Sequence, residues 1–159
     1  MPQCKYYDIC GRDGGEDTEA DLCILHSKIP DKSEQAFAAA FDTHRKERGD
    51  NFSFFVFPGE TNFGGATFSE RADFGGAMFS KEANFIRATF SKKADFRMAT
   101  FSGRADFLEA TFSEGAGFFG ATFSEGTDFR MATFSKEASF REATFSGRTL
   151  FTASTALAA

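Results

Sequence analysis

The chain has 159 residues, a formal net charge of −5 at neutral pH, 24 phenylalanines, no tryptophan and three cysteines. This length leaves room for one domain with a small appended module. No stretch approaches the roughly 18 apolar residues of a membrane span, and the start lacks a signal-peptide core, so we expect a cytoplasmic protein without a membrane partner. Residues 1–60 hold 7 Lys/Arg and 12 Asp/Glu, and residues 61–159 hold 11 of each, so neither part offers the basic surface that direct nucleic-acid binding requires.

Residues 1–30 contain all three cysteines and one of the two histidines. Cys4, Cys10, Cys23 and His26 follow the spacing C-x5-C-x12-C-x2-H. Zinc takes four nitrogen or sulfur ligands in a tetrahedron, and an odd number of cysteines in a cytosolic chain argues against a disulfide framework. We therefore predict one structural zinc ion per chain, held by these four residues. The alternative is three unconnected thiols and a surface histidine, because the first pair in a zinc site is usually spaced more closely.

A single helix is predicted next, roughly from Lys32 to Arg48, within a capping segment of residues 31–49. Asp31 can cap the first turn, with a glutamate three residues further on. Phe37 and Phe41 lie one helical turn apart. We expect their rings to plug the open end of the domain that follows.

From Phe52 to Phe151 a phenylalanine recurs at alternating intervals of five and six residues without a miss. The consensus is A-T-F-S-x-x-A-D-F-x-x, with alanine two residues before nearly every phenylalanine from Phe68 onward. On a strand these two residues share one face, whereas on a helix they lie about 200° apart. The pattern therefore predicts a β-solenoid over residues 50–152, with alanine and phenylalanine inward, followed by a tail of residues 153–159.

The number of residues in one coil is predicted from the charges at the corners. A coil of 22 residues, with sides of five, six, five and six, places Phe107 between Phe85 and Phe129. An eleven-residue coil would set like charges side by side, which is unfavourable. In the 22-residue coil one corner column alternates in sign: Glu70, Lys92, Glu114 and Lys136.

These residues resemble the pentapeptide-repeat family, whose motif A-(D/N/T)-(L/F)-x-x has alanine and leucine or phenylalanine pointing inward. The resemblance covers residues 50–152 and implies an all-β fold, a right-handed, four-sided parallel β-helix. The usual family coil has five residues on every side, so the extra residue on alternate sides predicts two looser corners. Members that inhibit gyrase dimerise through their C-terminal ends, so the resemblance also implies a possible homodimer through that end.

The repeat region offers no sign of an enzyme. It contains neither histidine nor cysteine, and a convex prism with a filled core has no concavity in which catalytic groups could converge. Its carboxylates occupy the outward position beside each phenylalanine, where we expect them to be solvated or to bond the turns: Asp73, Asp95, Asp106 and Asp128.

Three classes of function remain, of which we favour a non-enzymatic protein-interaction scaffold with an unknown protein partner. Phe119, a phenylalanine outside the series flanked by Arg97 and Arg141, is the predicted contact. The resemblance implies DNA mimicry of the gyrase-inhibiting kind as an alternative, but the zero net charge of residues 61–159 argues against it. A second alternative is ice or crystal-surface binding through outward threonine ladders, although threonine is also ordinary strand surface.

Overall fold

A computed structural model describes residues 3–12, 22–29 and 32–152, so Asp31 and the tail of residues 153–159 lie outside the described residues. The repeat region forms a parallel β-solenoid of two-residue strands, and strands 22 residues apart pair in register. Phe112, for example, pairs with Phe90 on one side and Phe134 on the other. The predicted solenoid and its coil of 22 residues are confirmed.

The strands form four sheets, and each sheet takes every fourth strand of the chain. One comprises β1 (Val56–Phe57), β5 (Met78–Phe79), β9 (Thr100–Phe101), β13 (Thr122–Phe123) and β17 (Thr144–Phe145). The second comprises β2 (Thr61–Asn62), β6 (Ala83–Asn84), β10 (Ala105–Asp106), β14 (Thr127–Asp128) and β18 (Thr149–Leu150). The third comprises β3 (Thr67–Phe68), β7 (Thr89–Phe90), β11 (Thr111–Phe112) and β15 (Thr133–Phe134). The fourth comprises β4 (Ala72–Asp73), β8 (Ala94–Asp95), β12 (Ala116–Gly117) and β16 (Ala138–Ser139).

The core consists of columns of parallel phenylalanine rings. Phe107 is fully buried, and its ring centroid lies 4.9 Å from that of Phe85 and 4.8 Å from that of Phe129, with interplanar angles of 4°. Rings of the neighbouring column, such as Phe96, meet it edge to face at 5.6 Å. Aromatic pairs of both kinds add about 0.5–1.5 kcal/mol to the gain from burial, so this ring stack alone can hold a thin rod together.

The five-residue steps turn tightly because their second corner residue has a positive φ. In one such corner the N–H of Ala77 donates to the carbonyl of Phe74 at 3.0 Å, and Gly76 has a φ of 65°. This is the turn position that favours glycine. Nine residues occupy it along the solenoid, six of them not glycine: Phe54, Gly65, Gly76, Arg87, Met98, Glu109, Gly120, Met131 and Glu142.

The outward aspartates bond the turns, as predicted, but most of them are not solvated. Asp95 is fully buried, and Asp106 and Asp128 are almost so. The Asp95 carboxylate accepts the N–H of Arg97 at 3.1 Å and its guanidinium at 2.6 Å. Arg71, one coil earlier, bridges Asp73 and Asp95 at 2.9 and 3.2 Å. Of the two expected alternatives the turn-bonding one is observed, and solvation is excluded at the buried aspartates because arginine side chains lie over the carboxylates.

Two helices precede the solenoid: α1 (Tyr7–Cys10) and α2 (Glu34–Arg48). The second begins two residues later than predicted, and its cap is Ser33, whose hydroxyl accepts the N–H of Ala36 at 3.1 Å. The ring of Phe41 lies 5.1 Å from that of Phe52, so α2 covers the first coil. No helix in the described part of the chain is long and apolar enough to cross a membrane.

Lys32 clamps the N-terminal segment to the first coil and does not begin the helix. Its buried ammonium donates to the carbonyl of Ile24 at 2.9 Å, to that of Ser27 at 2.9 Å, and to that of Val56. It also lies 4.8 Å from the centre of the Phe37 ring. Three carbonyl acceptors offset the cost of burying the charge, and together they hold residues 22–29 against the solenoid.

Candidate metal centre

The structure brings together all four residues that the sequence predicts as metal ligands. Cys4, Cys10, Cys23 and His26 are buried, and their ligand atoms all lie within 4.8 Å of one another. The Sγ of Cys23 is 3.6 Å from the Sγ of Cys10 and 3.3 Å from the Nδ1 of His26. Ordinary zinc bond lengths in a tetrahedron place two sulfurs about 3.8 Å apart and a sulfur and a nitrogen about 3.6 Å apart. The group therefore has a geometry that could hold a metal ion.

Local structure explains how the long C-x5-C spacing can work. The carbonyl of Cys4 accepts the N–H of Tyr7 at 2.8 Å, and the single turn of α1 then returns the chain to Cys10. At the other end, the N–H of His26 donates to the carbonyl of Cys23 at 2.9 Å, which closes a turn between the last two ligands. Each pair of ligands is thus held by its own backbone turn.

Hydrogen bonds and burial shift the pKa values of the three cysteine thiols in different directions. The N–H of Cys23 donates to the Sγ of Cys4 at 3.3 Å, and backbone hydrogen bonds from Arg12 and Leu25 reach the sulfurs of Cys10 and Cys23. The thiol of Cys10 lowers the pKa of Cys23 well below its ordinary value, and the same contact raises the pKa of Cys10. Burial raises the pKa of Cys4. A dication among them would favour the thiolate form of all three.

The other face of His26 connects the cluster to the solenoid. With Nδ1 directed at the sulfurs, Nε2 donates to the carbonyl of Ser53 at 3.3 Å, the kind of second contact that orients a metal-binding histidine. The His26 ring also meets Phe55 edge to face at 5.0 Å. Tyr6 stacks on Phe54 at 4.9 Å and 14°. The sequence did not predict the roles of Tyr6 and Ser53. The extra pair Phe54 and Phe55 at the start of the repeats is the sequence feature that could have indicated a contact between the N-terminal segment and the first coil.

The repeats of this chain are similar to repeats of a known family. A family model described as pentapeptide repeats, with nine copies, matches residues 78–122. Residues 78–122 are therefore similar to pentapeptide repeats. In this chain the ladder of short strands extends beyond the match on both sides, from Val56–Phe57 to Thr149–Leu150. The resemblance predicted from the motif is confirmed. No curated protein and no solved structure was found to match.

One corner of the solenoid carries an apolar groove of about 470 Å³ beside the Cys/His cluster. The side chains of Phe54 and Met98 are 45% and 63% exposed. Phe119 lies on a turn, as predicted, and is partly exposed, with the guanidinium of Arg141 5.9 Å from its ring centre. The groove is lined by Ser53, Phe54, Asp73, Gly75, Gly76, Arg97, Met98 and Phe119.

Proposed function

We propose that this protein is a non-enzymatic protein-interaction scaffold and that it binds its partner at the corner formed by Phe54, Met98 and Phe119. The observation that carries the proposal is that the exposed, apolar residues Phe54 and Met98 line one groove together with Phe119. A left-handed backbone costs a non-glycine residue about 1–2 kcal/mol, and Gly76 and Gly120 occupy the same column. The same positive φ occurs at charged corners such as Arg87 and Glu109, so the apolar groove, and not the backbone conformation, distinguishes this corner.

The three cysteines and His26 are proposed to bind one zinc ion with a structural role. Four protein ligands close the tetrahedron and leave no position for a substrate or a reactive water. The ion would join residues 3–12 to residues 22–29 and, through His26 and Ser53, to the first corner of the solenoid. Because Tyr6 stacks on Phe54, this zinc module would also hold one wall of the groove.

The surface charges favour a scaffold over a DNA mimic. A mimic of the duplex needs a continuous negative surface. Here the carboxylates of Asp95 and Asp128 are buried against the guanidinium groups of Arg97 and Arg130, so they add little to the surface potential. The outward threonines do form ladders in register, but each ladder is a single column, as ordinary strand surface also gives.

Affinity capture from the native host tests the scaffold proposal. The tagged protein is compared with a double variant, Met98→Gly and Phe119→Ser, that removes two of the three corner side chains without changing a core residue. Met131→Gly is the matched control, because Met131 is 59% exposed, has a φ of 58°, and lies in the other column of tight corners.

We expect proteins that the wild type and the Met131 control both retain to be lost from the double variant. Quantitative mass spectrometry of the retained proteins gives the readout, and circular dichroism checks that all three forms are folded. The same retained set from all three forms would refute the proposed surface.

A further inference from the structure

The solenoid builds the same carboxylate site at the outward strand position of successive coils. At Asp95, three donors converge: the N–H of Arg97, the guanidinium of Arg97, and the guanidinium of Arg71 from the preceding coil. At Asp128 the donors are the N–H and guanidinium of Arg130, with Arg104 of the preceding coil at 3.9 Å. Backbone and arginine donors thus surround a carboxylate at the outward strand position in two of the four sheets.

At Gly117 two of these three donor positions recur around a position that has no carboxylate, the backbone N–H two residues later and a cation one coil earlier, while Phe119 replaces the arginine. Gly117 pairs with Asp95 in the ladder, and Lys93 stands one coil after Arg71, where it can reach position 117 as Arg71 reaches Asp95. Within the described residues, Lys93 makes no ion pair, and the N–H of Phe119 has no acceptor. The Nε and Nη2 of Arg97 contact Asp95, which leaves its Nη1 for another acceptor.

The missing side chain leaves a notch of about 280 Å³. A Cβ at Gly117 would lie 3.5 Å from the Cγ of Arg97 and 3.7 Å from an oxygen of Asp95, which are ordinary contacts, so a carboxylate fits. The lining includes two cationic residues, Lys93 and Arg97, and one acidic residue, Glu137. The Asp95 carboxylate also faces the position and is already paired with Arg97, so Lys93, which makes no ion pair within the described part of the chain, is the cation that a bound carboxylate would meet there. The notch is lined by Lys93, Arg97, Gly115, Ala116, Gly117, Phe119, Glu137 and Ser139.

We propose that the notch over Gly117 binds a carboxylate of the partner, an Asp or Glu side chain, where Asp95 and Asp128 fill the equivalent site in their own coils. The proposal rests on the scaffold function and specifies the chemistry of its partner. The acceptor would take hydrogen bonds from the N–H of Phe119, the ammonium of Lys93 and the guanidinium of Arg97, and charge-assisted bonds of this kind are the strong ones.

The neighbouring groove specifies the rest of the partner's motif. Arg97 and Phe119 line both the notch and the apolar groove. Their floors, at Gly117 and Gly75, are about two coils apart along the solenoid axis, or about 10 Å in that direction. An extended peptide covers this distance in about three residues. The partner segment is therefore an extended strand with an acidic residue three positions from an apolar one, and the apolar side chain packs between Phe54 and Met98.

The test is an amide-resolved NMR titration of the zinc-replete, full-length protein with two capped probes, acetyl-Asp-Ala-Ala-Leu-amide and acetyl-Leu-Ala-Ala-Asp-amide. We expect at least one probe to shift the amide proton of Phe119 downfield and saturably. The matched probe with Asn in place of Asp should bind at least about tenfold more weakly, a difference of about 1.4 kcal/mol.

Two variants test the position of the carboxylate. Gly117→Asp supplies it internally, so the Phe119 amide should start at the shifted position and the Asp and Asn probes should bind equally. Lys93→Gln alters one exposed side chain and should weaken the Asp probe severalfold while leaving the Asn probe unchanged.

Equal binding of the Asp and Asn probes to the wild type would overturn the proposal, as would a Phe119 amide that does not respond. Inorganic phosphate that binds more tightly than the Asp probe would overturn it too, by assigning the notch to a phosphate ligand. If the carboxylate site fails while the Met98 and Phe119 double variant still loses its captured proteins, the scaffold function stands. If both experiments fail, the scaffold proposal falls as well.

Discussion

Replacing Phe107 with alanine tests the ring-stacked core most severely, because it removes one ring from the middle of a column. Phe107 is fully buried, lies face to face with Phe85 and Phe129 at 4.9 and 4.8 Å, and meets Phe96 and Phe118 edge to face at 5.6 and 5.7 Å. The backbone ladders on both sides prevent the coils from closing the cavity. We expect the free energy of unfolding to fall by about 3–5 kcal/mol, as for other buried Phe→Ala changes.

Urea denaturation followed by circular dichroism measures the loss, and Phe119→Ala is the control. Phe119 is partly exposed at a corner and contacts Arg141 only at 5.9 Å, so its replacement should cost no more than about 1 kcal/mol. The m-values must agree for the comparison to hold. A loss below about 1.5 kcal/mol for Phe107→Ala, or equal losses for both variants, would refute the reasoning.

Three further predictions concern charge, self-association and DNA mimicry. Burial alone would raise the pKa of Asp95, but the hydrogen bonds with Arg97 outweigh burial, so the pKa is lowered in the folded protein. The ionised Asp95 therefore stabilises the fold fully above the unfolded pKa of about 3.9, and this stabilisation is lost as the pH falls through the folded pKa. An asparagine can keep the turn hydrogen bond, as Asn84 does at its own corner, so Asp95→Asn should lower the free energy of unfolding by only about 1 kcal/mol at pH 7. In urea titrations at several pH values the variant should lose less of its unfolding free energy on acidification than the wild type, and an equal loss would contradict the prediction. The homodimer predicted through the C-terminal end would bury Phe151, which is 55% exposed in the single chain. Phe151→Ser should therefore lower the dimer fraction in sedimentation equilibrium, and a variant that dimerises as well as the wild type would exclude that interface. The protein should not inhibit gyrase supercoiling at micromolar concentration, and submicromolar inhibition would restore DNA mimicry as the leading function.

The sequence predicted the solenoid well because its signal is periodic and redundant. Nineteen phenylalanines at alternating steps of five and six, from Phe52 to Phe151, leave one way to put every ring inside. Like-charge repulsion then selected the 22-residue coil, and Lys92 and Glu114 do form an ion pair at 3.7 Å. The proximity of Cys4, Cys10, Cys23 and His26 followed from ligand chemistry alone.

What the sequence did not predict depends on contacts between coils and on backbone geometry. The burial of Asp95 arises from Arg71 in another coil, which no local pattern contains. The strain at Met98 was missed, although glycines recur at the same position of other corners and could have shown that the turn favours a positive φ. The Gly117 notch can be recognised only when successive coils are aligned, because Gly117 then stands at the ladder position that Asp95 occupies one coil earlier.

The zinc content of the purified protein tests most directly whether a metal module anchors the solenoid. Native mass spectrometry and elemental analysis of tag-free protein should give one zinc per chain, since four ligands close one tetrahedral site. Cys23→Ser should lose the ion and increase amide exchange in residues 3–12 and 22–29, while the central coils stay protected. Metal-replete protein that carries no zinc, or a Cys23→Ser variant that keeps one ion per chain, would contradict the account.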